Sequence, residues 1–568
     1  MPTQQQPSWL KSLVRDVGNA AIQAINHQRQ QSGNPLKGYI QLVLPATLPA
    51  LPSPRSFVQS RLFGRGGMSL LELEQALRRI ADAPQVAGVL FVINGLELAP
   101  ADLTTLRDSI TRLRARGKRA IAYAQSYSNA TYYVASACDT VWLQKGGVLM
   151  TNGLLSQRLY LKSALDTLGI AFDTVAISPY KSATDTLMRD TPSEESAAQQ
   201  GWLLDSTYDT LLQGIAEGRK LTLDATHTLV NTAPHTDQDA LTAGYVDALC
   251  NEEDFPRLLD GAPLTMWEEA SNRLPLRLAI APEKVIAILP MSGTIFNGKS
   301  AEPPVDVPIP LVGGDRIGDV TVVQQIRQLM NDDTVKAVVL YIDSPGGSAT
   351  ASEAIASALD ELAKKLPVVA CMGGVAASGG YYIASSADYI IAQPMTITGS
   401  IGVITAKLTN SDMLKKLRLN PFYLMRGQNA DMFAPINPFT DAQREKMVRF
   451  IESIYTLFVA RVAASRKMKP EEVDAVGGGR VWTGAQAREH GLVDAFGGLY
   501  EAVQKAREMA QLPEATPITL ARPPQRTPLV AQLANKLNPA AAVGYWHGNL
   551  SELTKGQALF LMPDVWRL

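Results

Sequence analysis

Short apolar runs and amphipathic stretches alternate along this chain, and the whole series occurs twice. Residues 40–45 (Ile-Gln-Leu-Val-Leu-Pro) and 285–290 (Val-Ile-Ala-Ile-Leu-Pro) are brief apolar runs closed by proline, the pattern of buried strands. Each is followed by apolar residues at helical spacing (70–80; 320–330), a β-branched run (86–94; 335–343), a second helical stretch (100–116; 351–365) and another apolar run (119–124; 367–372). Strands separated by amphipathic helices predict an α/β fold with a mainly parallel sheet, flanking helices and right-handed crossovers. Long helical periodicity returns at 196–221 and 441–464 and predicts helices packed outside the sheet or against a neighbour.

The two series are copies. At an offset of 249, residues 86–94 fall on 335–343, Tyr132-Tyr133 on Tyr381-Tyr382 and Gly153 on Gly402, while Gly244-Tyr-Val-Asp247 matches Gly491-Leu-Val-Asp494 at an offset of 247. A period this long makes each copy a domain, since stacking repeats span only about 20–50 residues. The chain therefore divides into an amphipathic segment (1–36), a first repeat domain (37–250), a linker rich in charge and proline (251–282), a second repeat domain (283–510) and an extension without an interpretable motif (511–568).

Composition removes several function classes. With 53 basic and 54 acidic residues well mixed, the chain has no electrostatic footprint for nucleic acid. The three cysteines, Cys138, Cys250 and Cys371, are isolated, so neither a disulfide framework nor a metal site is implied. Five scattered histidines stand apart from the motifs below, which argues against a histidine-based triad. No uninterrupted apolar stretch reaches the roughly 18 residues of a membrane span, and the first residues lack a signal-peptide pattern. Trp9, Leu10, Leu13, Val14, Val17, Ala21 and Ile25 form an apolar stripe at helical spacing; it fits a helix packed on its own protein or one lying at a membrane surface.

The candidate chemistry sits just after strands of the second copy. Asp343-Ser344-Pro345-Gly346-Gly347 closes one of them, and paired glycines let backbone N–H groups approach a ligand as an oxyanion hole requires; a plain tight turn would use the same residues. Its counterpart, Asn94-Gly-Leu-Glu97-Leu98, makes the turn without the equivalent glycines. Gly373-Gly-Val-Ala-Ala-Ser378-Gly379-Gly-Tyr-Tyr382 presents a serine at the start of a helix, either as an N-cap or as a nucleophile beside the Gly379 amide. The first copy has Asn129 at that position and Ser128 one residue out of register.

A serine hydroxyl needs a base, and lysine can serve only if its pKa falls from about 10.4. Lys181, in Tyr180-Lys181-Ser182-Ala183, follows a strand-like run among small or apolar neighbours and faces Ala430 across the duplication. One copy thus keeps the serine and the other keeps the amine, as a single shared active site would after duplication.

Together these motifs, with Thr398-Gly-Ser400-Ile-Gly402, resemble the long, tandem-repeat form of the signal peptide peptidase A (protease IV) family over roughly residues 37–505. The resemblance implies two domains of the Clp and crotonase type, with Ser378 as nucleophile, Lys181 as general base, Ser400 orienting the lysine, and the Gly347 and Gly379 amides as oxyanion hole. It implies no cofactor, apolar signal peptides as substrates, a homotetramer around an enclosed space, and membrane association. Long bacterial members usually carry an N-terminal anchor; with none visible in this sequence, peripheral attachment is expected, with the Trp9–Ile25 stripe as its candidate. An acyl-CoA enzyme or a non-catalytic scaffold of crotonase type are the alternatives.

Overall fold

The computed structural model describes residues 8–31, 36–52, 67–275, 282–301, 315–521 and 559–561. They fall into two compact units, one formed by residues up to Leu155 with Thr207–Val285, the other by Ser156–Ser206 with those after Ile286.

In the first unit six strands lie in the order Leu264–Met266, Gly38–Leu44, Val86–Ile93, Arg119–Ala124, Thr140–Leu143 and Ala248–Leu249, every neighbouring pair parallel. Helices cover the sheet, so its central strand carries side chains buried on both faces: Val89, Leu90 and Phe91 are all fully buried. The helix Leu70–Ala81 starts where Ser69 and Glu72 form a capping box, and it turns Leu70, Leu73, Leu77 and Ile80 inward. Residues 251–275 do not act as a linker. Phe255 and Leu259 join Tyr39, Tyr123 and Trp142 in a core cluster, and Leu264–Met266 extends the sheet; the polar and proline positions merely mark the turns between these short elements. The helix Ser8–Gln31 forms as its periodicity predicts. Arg29 Nη1 donates to the Leu274 carbonyl (2.7 Å), while Val17 and Ile25 face outward. The side chains of Trp9, Leu10, Leu13 and Val14 lie outside the described residues.

The second unit holds two sheets. One runs Val481–Thr483, Ile397–Gly399, Val368–Ala377, Val335–Ser344, Val285–Ser292, Ile518–Leu520, so the chain past residue 511 still contributes to this unit. A register shift between Val335–Ser344 and Val368–Ala377 falls at Ile342/Ser344, where an Asp343 carboxylate oxygen accepts from Val375 N–H (3.0 Å). Beyond this bulge Val368–Ala377 runs on to Ser378. The other sheet runs Arg316–Gly318, Thr294–Phe296, Gly346–Ser348, Leu559–Leu561, Ile404–Thr409, Ala171–Ala176.

The last of these strands comes from the first sequence copy. Ala171–Ala176 pairs antiparallel with Ile404–Thr409 over six residues, and the Asp173 carboxylate accepts from Phe439 N–H (2.6 Å). The compact unit and the sequence repeat therefore part company: Lys181 belongs to the same unit as Ser378, and not to a separate front domain spanning 37–250. Local periodicity carries no information about such a long-range pairing.

The duplication is also visible in buried hydrogen bonds. Tyr132 Oη donates to the Tyr245 carbonyl (2.6 Å) in one unit, and Tyr381 Oη to the Leu492 carbonyl (2.9 Å) in the other. Likewise Val141 N–H bonds Asp247, which pairs with Arg219, and Ile390 N–H bonds Asp494, which pairs with Arg466.

Candidate active site

Ser378 stands between the strand Val368–Ala377 and the helix Gly379–Ala384, at φ 56° and ψ −113°. A non-glycine residue there is strained and persists only when its surroundings fix it. Two bonds do so: Ser378 N–H donates to the Gly399 carbonyl and its carbonyl accepts from Tyr382 N–H, both at 2.8 Å. The sharp strand-to-helix turn aims the hydroxyl away from the helix, and it makes no cap bond. Ser128, by contrast, is an ordinary N-cap that accepts from Thr131 N–H (3.3 Å). The capping alternative for Ser378 is thereby removed.

Lys181 lies in the turn after Ala171–Ala176. Its Nζ is 2.8 Å from Ser378 Oγ, 2.8 Å from the Ser400 carbonyl oxygen and 2.9 Å from Ser400 Oγ. The amine donates to all three oxygens when protonated; once uncharged it keeps two N–H donors for the Ser400 oxygens and has a lone pair free to take the Ser378 proton. Ser378 and Ser400 are fully buried and Lys181 is 2% exposed. Burial drives the lysine well below its ordinary value, with no neighbouring charge acting against it.

The proposed oxyanion residues converge on the same place. Gly347 adopts φ 153° and packs so tightly on Ile295 that a Cβ would come 2.0 Å from the Ile295 carbonyl oxygen. A Cβ on Gly379 would meet Ser352 Oγ at 2.7 Å and the Cα of Gly346 at 3.2 Å, so the two glycine turns adjoin and neither accepts a larger residue unchanged.

Sequence reasoning missed the wall behind the lysine, Gly477-Gly478-Gly479-Arg480. At Gly479 (φ 89°) a Cβ would lie 2.7 Å from Lys181 Cβ, and only a bare backbone can press this closely. Gly479 N–H donates to the Ile401 carbonyl (2.7 Å) and Ser400 N–H to the Arg480 carbonyl (2.6 Å), which ties this segment to the serine that receives the amine. Outside it, Trp202 stacks on Trp482 and lies tilted against Tyr180, with Arg480 over the Tyr180 ring at 4.1 Å. Three consecutive glycines just before an apolar strand were the available signal.

The position opposite each of these residues in the other copy holds no such machinery. Asn129 Nδ2 donates to the Gly153 carbonyl (2.7 Å), Thr151 takes the place of Ser400 with a buried, unbonded hydroxyl, and Ala430, the counterpart of Lys181, is exposed.

Comparison with known proteins bears on this geometry. The model of peptidase family S49 matches residues 112–260 and 360–513, one stretch per copy and together just over half of the chain. Protease 4 of Haemophilus influenzae is 32% identical over 476 residues, covering 79% of this chain and 74% of that protein. The chloroplastic serine protease SPPA of Arabidopsis thaliana is 29% identical over 476 residues, 81% of this chain and 69% of that one. A putative signal peptide peptidase SppA of Enterococcus faecium is 35% identical over 195 residues, 34% of this chain and 57% of that one.

Proposed function

Because the chain belongs to peptidase family S49 and is a serine peptidase, we propose that it hydrolyses apolar peptides, signal peptides among them, with Ser378 and Lys181 as a catalytic dyad. The observation that carries this is the 2.8 Å approach of a buried amine, free of any counter-charge, to a serine hydroxyl on a strained turn. Neutral Lys181 takes the Ser378 proton as Oγ attacks the peptide carbonyl. The Gly347 and Gly379 amides hold the tetrahedral oxyanion, and the lysinium then protonates the leaving amine. Water cleaves the acyl-enzyme by the same roles in reverse. Ser400 fixes the amine's direction through two contacts and so acts as a positioning residue.

The substrate class follows from the surroundings. The residues leading into the nucleophile, Val375, Ala376 and Ala377, are apolar and bring no charge beside it, and the relative from Enterococcus faecium carries signal peptides in its name. In a panel of internally quenched peptides, those with apolar cores are expected to show kcat/KM at least about tenfold above otherwise matched acidic or basic ones. Preference for charged cores would refute the assignment.

We also propose self-association, as a homotetramer. Leu159, Leu168, Leu417, Leu419, Phe422 and Leu424 are all more than half exposed, and Lys416 Nζ ties their two segments together by bonding the Asp166 and Thr167 carbonyls. An apolar surface of this kind asks for a cover, and a second copy of the chain supplies one. Light scattering should give a mass of four chains, falling on Phe422→Asp with Leu424→Asp; a monomeric parent protein would contradict it. Among the described residues no helix is long and apolar enough to cross a membrane. Peripheral membrane contact remains part of the proposal through the exposed Val17 and Ile25 of the first helix.

A further inference from the structure

The glycine wall behind Lys181 is itself held from outside. It follows the short helix Pro470–Val476, which packs on the long helix Asp441–Arg466 of the same unit. From the long helix Tyr455 reaches the wall: its Oη accepts from Gly478 N–H (2.8 Å) and donates to an Asp474 carboxylate oxygen (2.6 Å). The Gly478 carbonyl accepts from Ser178 Oγ, and the Ser178 carbonyl accepts from Lys181 N–H (3.1 Å). Gly478 is thus tethered at both of its polar groups, and its neighbour Gly479 is the residue that presses on Lys181 Cβ. A Cβ on Gly477 would come 3.0 Å from Tyr455 Oη, so the phenol lies close against two consecutive glycines.

The first copy shows the same two positions without the wall. At the offset of 247, Tyr455 matches Tyr208 and Asp474 matches His227, while Gly477-Gly478-Gly479 match Val230-Asn231-Thr232. The Tyr208 and His227 rings lie 6.0 Å apart between centroids, so the pair meets in both copies. The copy with no lysine to back has neither the carboxylate nor the glycines.

We infer that Tyr455 is a positioning residue for the general base: its hydroxyl, fixed by Asp474, holds the Gly478 amide and with it the wall that keeps water from the Lys181 amine. This rests on the peptidase reading of the site. Burial alone depresses that amine. The charged groups around it are engaged elsewhere: Arg480 on the Gly477 carbonyl (3.0 Å), Asp474 on Tyr455, Asp185 on Ser193 (2.9 Å) and Asp343 on the Val375 amide. Loosening the wall therefore rehydrates the ammonium and moves its titration up toward the ordinary lysine value. Tyr455 keeps its own proton throughout, because burial raises the phenol.

The test follows the pH dependence of fluorophosphonate labelling at Ser378 and of kcat on an internally quenched peptide with a Leu/Phe/Ala core. Tyr455→Phe removes only the hydroxyl. It is expected to raise the midpoint of both profiles by about one pH unit, which lowers rates about tenfold on the rising limb and leaves the plateau within about twofold of the parent protein. Ser178→Ala frees the Gly478 carbonyl and is expected to shift the midpoint the same way; it carries the test if Tyr455→Phe does not fold. Tyr132→Phe loses a buried hydrogen bond in the other unit (2.6 Å) and is expected to lower the melting temperature with the midpoint in place. An unmoved midpoint in folded Tyr455→Phe, or in Ser178→Ala where that variant stands alone, overturns the inference. So does an equal shift in Tyr132→Phe, which would make the effect one of lost stability. If the parent protein neither labels at Ser378 nor hydrolyses the peptide, the peptidase reading fails and takes this inference with it.

Discussion

Ser378→Ala is expected to lower kcat for peptide hydrolysis by about 10⁴-fold or more while the protein stays folded. The hydroxyl is the only atom lost, and alanine meets the same backbone strain at φ 56° that serine already bears. Lys181 keeps both contacts to Ser400, so its amine is not orphaned by the change. Circular dichroism and a thermal melt within a few degrees of the parent protein separate lost chemistry from lost structure. Residual activity within tenfold of the parent would mean that another residue is the nucleophile.

Lys181→Met should have the second largest effect, and in two directions. Activity is expected to fall about 10³-fold or more, since among the described residues Lys181 is the base bonded to the serine. Stability near neutral pH is expected to rise, because the variant buries a side chain of similar length with no amine to desolvate. Recovering about 1 kcal/mol would lift the melting temperature by roughly 1–2 °C in a unit of this size. The sign of the pH dependence follows from the lowered folded-state pKa. Between that value and the ordinary one near 10.5, the unfolded chain binds more protons than the folded one, so the parent protein gains stability as pH rises through this window. Lys181→Met should lose that slope. Activity of the parent rises with pH for the same reason, since only the uncharged amine accepts a proton. Ser400→Ala should shift the midpoint of that rise as well as lower kcat, the mark of a residue that acts through the lysine.

Most of the sheet strands and their helices are legible in the sequence because each has its own short-range pattern. The run 335–343 is rich in β-branched and other apolar residues, and it appears as the strand Val335–Ser344. The nucleophile's turn is legible for a different reason: the duplication supplies an internal control, and Asn129 shows what the same turn looks like without chemistry. Three features were hidden. The return of 156–206 to the unit of the second copy depends on the ladder from Ala171–Ala176 to Ile404–Thr409, between partners more than 200 residues apart. Residues 251–275 resemble a linker because their strand and helices are too short to show a period. The glycine wall at 477–479 reads as an ordinary turn until Lys181 is seen against it.

The central claim is that a buried, uncharged amine activates Ser378, and the pH dependence of fluorophosphonate labelling tests it most directly, with the labelled peptide identified by mass spectrometry. The parent protein is expected to label at Ser378 at a rate that rises through one ionisation with a midpoint well below 10.5, and Lys181→Met to label about 10³-fold more slowly without that ionisation. A midpoint at the value of an exposed lysine, or labelling of Lys181→Met at the parent's rate, would contradict it.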